Sequence, residues 1–346
     1  MFQSLFDLQA RLDKISDNGD PLRAINQAVP WEMFRAELEN ISLPEAERKS
    51  LAGRKPYDRV LLFKMLVLQS LYNLSDDQLE QQTLDRLSFH RFLGLTMGDR
   101  VPDSKTIWLF RESLNRDDYA RRLFKKFESY LSLKGLKARE GQIIDATVIK
   151  VPVQRNTGPE NQALKDGRVE DVLAKWSPSK RSQKDTDARW GKKGNEVFFG
   201  FKQHSNVDVR HKLIRKYLVT SAEVHDSKES VELLNETNSS RNVYGDSAYP
   251  SGDFLLELKR RGFRDRLNRR AMRNKPLSEN QKRGNRSKSR IRCRIEHVFA
   301  AIKQRCGSVL VRTIGLARAT TKIGLYCLTY NMNRAGYLFS KSGIVV

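Results

Sequence analysis

The sequence predicts an α/β protein in which an all-α N-terminal domain precedes a mixed-sheet domain. Three observations carry that expectation. Up to residue 135 apolar side chains recur at intervals of three and four. After Gly135 short apolar runs of strand length replace them, and strand-like and helix-like segments then alternate as far as residue 310. The chain has 346 residues, 39% of them hydrophobic, which is enough material for more than one core.

In the first region the helical period is clearest over residues 59–72 and 118–133. Ser75 with Gln78 has the form of a capping box, and Asp103 or Ser104 can cap a helix running through Ile107, Trp108 and Leu114. Short helices between 75 and 115 would form a helix-turn-helix that offers Lys105, Arg111 and Arg116 to DNA. Residues 1–135 carry 21 Lys and Arg against 20 Asp and Glu, a balance that suits dimerisation or scaffolding as well as DNA binding. Trp108 reads as core rather than as a base-stacking platform.

Beyond Gly135 the elements follow in order. A strand is expected at 142–149, then a hairpin of 197–207 and 213–221 around the polar Arg210, His211 and Lys212. An amphipathic helix is expected at 227–235 with Asp226 as its cap, then a short buried strand at 243–244, a helix at 251–261 and a strand within 262–267. A final helix runs through Glu296. The order β-β-β-α-β-α-β-α is that of a ribonuclease-H-like core. Residues 152–196, rich in Lys, Ser, Asp and Gly, read as an excursion over the surface. The expected domains are therefore 1–135, 136–310 with the 152–196 insertion, and a helical tail at 311–346.

Charge narrows the partner. The formal net charge is +23, of which 136–346 carries +22 and 259–294 alone carries +14. Such a density repels itself unless a polyanion lies against it, so double-stranded DNA is the expected partner and Arg269, Arg270, Arg273 and Lys275 are expected phosphate contacts. No apolar run approaches the ~20 residues of a membrane span, and residues 1–20 lack the pattern of a signal peptide, so a soluble protein with no membrane partner is expected. Cys293, Cys306 and Cys327 form no CxxC pair, which points to a reducing cytoplasm, and Cys293 with His297 lacks the second ligand pair of a zinc site.

Three acidic residues in unlike settings suggest one metal site: Asp145 in QIIDATVIK, Asp246 in NVYGDSAYP and Glu296 in RIRCRIEHVFAAIK. In the expected topology the first two end neighbouring strands, so their carboxylates can converge. At 100° per residue Ser289, Arg292, Glu296 and Lys303 share one helix face, while Ile291, Ile295, Val298, Phe299 and Ile302 form the adjoining core face. Two divalent cations, magnesium or manganese in preference to zinc, suit such oxygen ligands and the making and breaking of phosphodiesters. Arg292 and Lys303 can grip phosphates beside them. Taken separately, either aspartate also reads as a strand-end or turn residue, and Arg292 with Glu296 as a surface ion pair.

These residues, with PDSKTIWLFRESL, DTDARWGKKGNEVFFGFKQHSNVD, SAEVHDS, GDSAY, the R-x3-E-x6-K helix and GLARATTKIGLYCLTYNMNRA, occur in an order that resembles the DDE transposases of the insertion sequence five family, within the insertion sequence four-related group. The resemblance spans nearly the whole chain. It implies that Asp145, Asp246 and Glu296 are the catalytic triad and that Arg292 and Lys303 are the basic members of the family's Y-R-E-K signature. One position departs: Ser289 stands where relatives carry the tyrosine that helps hold a DNA end, so a hairpin route does not transfer to this chain. His204 reads as facing the site or as a core histidine, and Asp187 and Trp190 as contacts to a DNA end or as loop anchors. His225 and Asp226 read as strand end and helix cap.

The resemblance implies a bacterial, cytoplasmic and nucleoid-associated transposase. It would bind the terminal inverted repeats of its element, cut there, and join the freed 3′-hydroxyls to target DNA, working as a homodimer or larger synaptic assembly. Two rivals share its features: a non-catalytic DNA-binding protein derived from a transposase, and a ribonuclease-H-like nuclease without transfer activity.

Overall fold

The computed structural model describes residues 5–41, 55–272, 275–305 and 310–342. Two compact units emerge, one of residues 1–137, 301–307 and 324–346 and the other of 138–300 and 308–323.

The described part of the first unit up to residue 137 is helical: α1 (Leu5–Asp17), α2 (Pro21–Ala28), a 3-10 turn at Trp31–Phe34, α3 (Arg35–Glu39), α4 (Arg59–Tyr72), α5 (Asp76–Asp85), α6 (Leu87–Leu93), α7 (Ser104–Ser113) and α8 (Tyr119–Leu133). α4 is apolar on nearly every side and is buried from Val60 to Leu71 apart from Leu61 and Gln69, so it forms the centre of this bundle. Trp31 stands edge-on to Phe63 and Phe92, at centroid distances of 6.1 and 5.4 Å. The Ser75–Gln78 capping box opens α5, and Asp103 caps α7 by accepting from the Thr106 N–H.

In the second unit the chain runs β1 (Gln142–Lys150), α9 (Gly158–Lys165), α10 (Val169–Lys175), α11 (Pro178–Gln183), β2 (Arg189–Lys193), β3 (Glu196–Asp208), β4 (Ile214–Ser221), β5 (Asn242–Gly245), α12 (Gly252–Arg260), β6 (Arg264–Leu267) and α13 (Glu279–Arg305), the last ending in residues of the first unit. α14 (Leu316–Ser342) occupies most of the expected tail, and its residues fall to both units. The six strands form one sheet in the order β2-β3-β1-β5-β6, with β4 also on β3. β3 runs antiparallel to β1, β2 and β4, whereas β1, β5 and β6 are parallel. This mixed α/β sheet fits a ribonuclease-H-like core.

Gly200 marks the point on β3 where one edge passes from β2 to β4. It pairs with Arg189 at the end of the β2 ladder, just before the β4 ladder begins at Phe201, and lies so close to β1 that a Cβ there would come within 2.1 Å of the Ile149 carbonyl oxygen. On one side the sheet packs Ile144, Leu218 and Val243 against Phe254 and Leu258 of α12, with Phe263 and Leu267.

Two expectations are corrected here. Residues 227–235 form turns and not a helix; the end of the segment is tied to the sheet, where Lys216 donates to the carbonyls of Glu232 and Leu234, Asn206 donates to Leu233, and Gln142 bonds both the N–H and the carbonyl of Asn235. Asp226 accordingly caps nothing and takes the Lys202 ammonium at 2.9 Å. The 152–196 segment is also more ordered than a plain excursion. It holds α9 to α11, the strand β2 and a small core of Leu164, Val172 and Trp176.

Candidate active site

Asp145 lies on the central strand β1 between the buried Ile144 and Ala146, paired across the ladder with Ser205 of β3. Asp246 is the first residue after β5. The parallel register joins Gln142 to Val243 and Ile143 to Tyr244, so the strand that carries Asp145 runs beside the one that Asp246 follows. Asp246 turns the chain as it leaves the sheet, its carboxylate accepting from the Ala248 N–H and its carbonyl from the Tyr249 N–H. Gly245 permits this turn: an added Cβ would stand 2.8 Å from Leu267 and 3.3 Å from the Tyr249 ring.

Glu296 comes from α13. Ile295, Val298, Phe299 and Ile302 are buried and Ile291 half-buried, as the helix period predicts, which leaves Arg292, Glu296 and Lys303 on the adjoining face. Arg292 links the helix to the sheet. Its Nη1 donates to Asp145 at 2.9 Å and its Nη2 to Glu296 at 2.8 Å. Its Nε is buried without a hydrogen-bond partner among the described residues. A donor in that state costs about 1–3 kcal/mol unless a ligand satisfies it. Two carboxylates meeting on one guanidinium mark a place that requires positive charge. Among the described residues no three acidic, His or Cys side chains are grouped closely enough to hold a metal ion as they stand.

The other expected residues fare differently. Lys303 is exposed two turns beyond Glu296. Lys105 is exposed on α7, but Arg111 is turned inward, its guanidinium held by Asp76 and Gln69, so it is not offered to DNA. Trp108, expected in the core, is 46% exposed beside Leu109. Arg270 and Lys275 are exposed; Arg269 is exposed but paired with Asp265 at 2.6 Å. Arg273 lies outside the described residues, between Met272 and Lys275, which exchange backbone hydrogen bonds. Ser289 accepts from Asn268 at 3.1 Å.

His204 pairs with Ala146 and not with Asp145, so strand alternation points it away from Asp145. It bonds Thr220 at 2.8 Å, and burial pushes its pKa down to about 4, with Asp226 opposing and Lys202 adding to the shift. It is a neutral core histidine. Asp187 accepts from the N–H of Leu316 at the start of α14, and so anchors its loop, while Trp190 is exposed against Phe199.

Two family models match the chain. Residues 136–332 match the family model described as Transposase DDE domain. Residues 10–113 match the model described as Transposase domain (DUF772). The chain belongs to the transposase DDE domain family. Among solved structures it is similar to the piggyBac transposase in a synaptic complex with hairpin DNA, determined by cryo-EM, at 12% identity and a TM-score of 0.48 over 94% of this chain and 77% of that one.

The donor set suits a divalent cation. All the expected ligands are carboxylate oxygens, the choice of magnesium or manganese over zinc. The place where Asp145 and Glu296 converge already holds a cationic group, the guanidinium of Arg292.

Proposed function

We propose that this protein is a transposase of the insertion sequence five group that binds the terminal inverted repeats of its element, cleaves DNA there, and joins the ends to a target. The observation that carries the reading is the meeting of Asp145 and Glu296 on Arg292, with Asp246 following the strand that pairs with β1. Asp145, Asp246 and Glu296 would hold a pair of magnesium or manganese ions, which supply Lewis acidity to a phosphodiester and to the hydroxyl that attacks it. The chain's own residues do the rest. The Nε donor of Arg292 has no hydrogen-bond partner among the described residues, so the guanidinium can exchange its carboxylates for a phosphate and neutralise the strand beside the scissile bond. Lys303, on the same helix face, grips a neighbouring phosphate. The exposed Arg270 and Lys275, with Arg273, hold the duplex without reading its sequence, and Lys105 on α7 is available for base or phosphate contact. Bringing two ends together calls for at least two copies of the chain.

The test uses the full-length protein, a labelled duplex carrying the terminal repeats that flank the coding sequence, and a supercoiled plasmid, with and without magnesium. Metal-dependent cuts at the repeat ends and joining of labelled ends to the plasmid are expected. Binding without cleavage would replace this reading with that of a non-catalytic DNA-binding protein. Cleavage without joining would leave a nuclease.

A further inference from the structure

The near-balance of charge in residues 1–135 conceals a division. Residues 1–118 hold 16 Lys and Arg against 19 Asp and Glu, whereas 119–137 hold six against one. Most of that surplus lies on α8. Leu123, Phe124, Phe127 and Leu131 turn one side of this helix into the bundle. At 100° per residue Arg121, Arg122, Lys125, Lys126, Ser129 and Ser132 fall within an arc of about 140° on the opposite side. All six are exposed or half-exposed. Glu128, the one acidic residue of α8, lies outside that arc.

Helix stability does not account for this face. Arg121 with Lys125 and Arg122 with Lys126 are like-charge pairs four residues apart, which weaken a helix. Both arginines also stand in the first turn, where the helix dipole disfavours cations. Neighbouring acids offset the arginines only: Arg121 pairs with Asp118 at 3.0 Å and Arg122 with Glu37 at 2.7 Å. Neither lysine has an acidic partner among the described residues. Two rows of cations one turn apart, with serines between them too short to obstruct a strand, fit a polyanion that carries its charges in a row. A membrane surface fits less well, because the apolar side of α8 is committed to the bundle and only Leu133 is apolar on the exposed arc. We propose that this face of α8 is a duplex-DNA contact in which Lys125 and Lys126, with Arg121 and Arg122, hold backbone phosphates without reading sequence. It is a contact of the helical unit, additional to the 259–294 segment, and it rests on the reading of this protein as one that binds DNA.

The test compares full-length wild type with two double variants, Lys125→Gln with Lys126→Gln and Lys125→Arg with Lys126→Arg. Binding to the repeat-end duplex and to a random duplex is measured over a salt series, with phosphatidylserine vesicles as a second polyanion and thermal unfolding as the check on the fold. Two lost phosphate contacts should weaken the glutamine variant on both duplexes alike, by roughly tenfold or more at about 0.1 M salt. The slope of log affinity against log salt should fall by nearly two units. The arginine variant should bind as wild type does, and the glutamine variant should melt at the same or a higher temperature. Wild-type affinity and slope in the glutamine variant would overturn the proposal, as would an arginine variant as weak as the glutamine one. A loss confined to repeat ends would overturn it in favour of sequence reading, and a loss confined to vesicles in favour of a membrane contact. Wild type that binds neither duplex would remove the DNA-binding reading and this proposal together. Wild type that binds and cuts repeat ends, beside a glutamine variant that binds equally well, would remove the role of α8 alone.

Discussion

At the scale of single residues, Arg292 is the side chain on which the site turns, since it satisfies Asp145 and Glu296 together. Arg292→Ala should slow cleavage by tenfold or more, about 1.4 kcal/mol, while duplex affinity falls less, because only one phosphate contact beside the reacting bond is lost. Lys303→Ala should show the same split, read by comparing single-turnover rates with equilibrium binding. Asp145→Asn, Asp246→Asn and Glu296→Gln should each abolish cleavage in magnesium and in manganese, with the fold kept and DNA binding equal or tighter. Any of the three that cuts near the wild-type rate lies outside the site. His204 carries a prediction of a different kind. Its folded pKa, about 4, lies below the ordinary 6.5, so between those values the unfolded chain binds a proton that the folded chain does not. Stability from this group is complete above pH 6.5 and is lost as pH falls toward 4, on the order of 3 kcal/mol. Urea unfolding from pH 7 to 4 should show this loss in wild type, and His204→Gln should lack that share of it.

At the scale of elements, α7 and α13 divide what had looked alike in the sequence. Arg111 and Lys105 stand on one helix, yet Arg111 is a structural group clamped by Asp76 and Gln69. Arg111→Ala should cost roughly 1–3 kcal/mol in chemical unfolding, the range for hydrogen bonds to charged groups and for partners left unsatisfied. Lys105→Gln should leave stability unchanged and alter DNA binding only. Equal unfolding midpoints for Arg111→Ala and wild type would put Arg111 back among the available contacts. On α13 the apolar period was legible because the helix has one core side, and the three-and-four spacing of Ile295, Val298, Phe299 and Ile302 reports it directly. The turns at 227–235 were not legible. Their amphipathic pattern is real, but side chains remote in sequence, Lys216, Asn206 and Gln142, tie the end of the segment to the sheet. β2 was hidden for a related reason: Arg189–Lys193 has little strand character of its own and owes its form to pairing with β3.

At the scale of the whole molecule, the +14 segment is not a solvated loop. Its described residues run through the end of α12, β6, the bridge between Met272 and Lys275, and the first half of α13. Changing Arg269, Arg270, Arg273 and Lys275 together to Gln should weaken binding to repeat ends and to random duplex alike, and lower the slope of log affinity against log salt by just under one unit per lost contact. Arg269 should contribute least of the described three, because Asp265 already engages it. A salt series on both duplexes decides this. Losses confined to repeat ends would make the segment a reader of sequence.

The strand that carries Asp145, the short strand before Asp246, the face of α13 that bears Glu296 and the location of the surplus charge followed from the sequence by itself. Each is a local property, set by period, by turn residues or by counting charge. Only the tertiary structure decided that Arg292 joins Asp145 to Glu296, that Arg111 is committed to Asp76, and that Trp108 is exposed. Those outcomes depend on which distant side chain reaches a group first. Among side chains of similar chemistry, that is settled by the register of β1 with β5 and by the packing of α13, and periodicity within any one segment does not encode either.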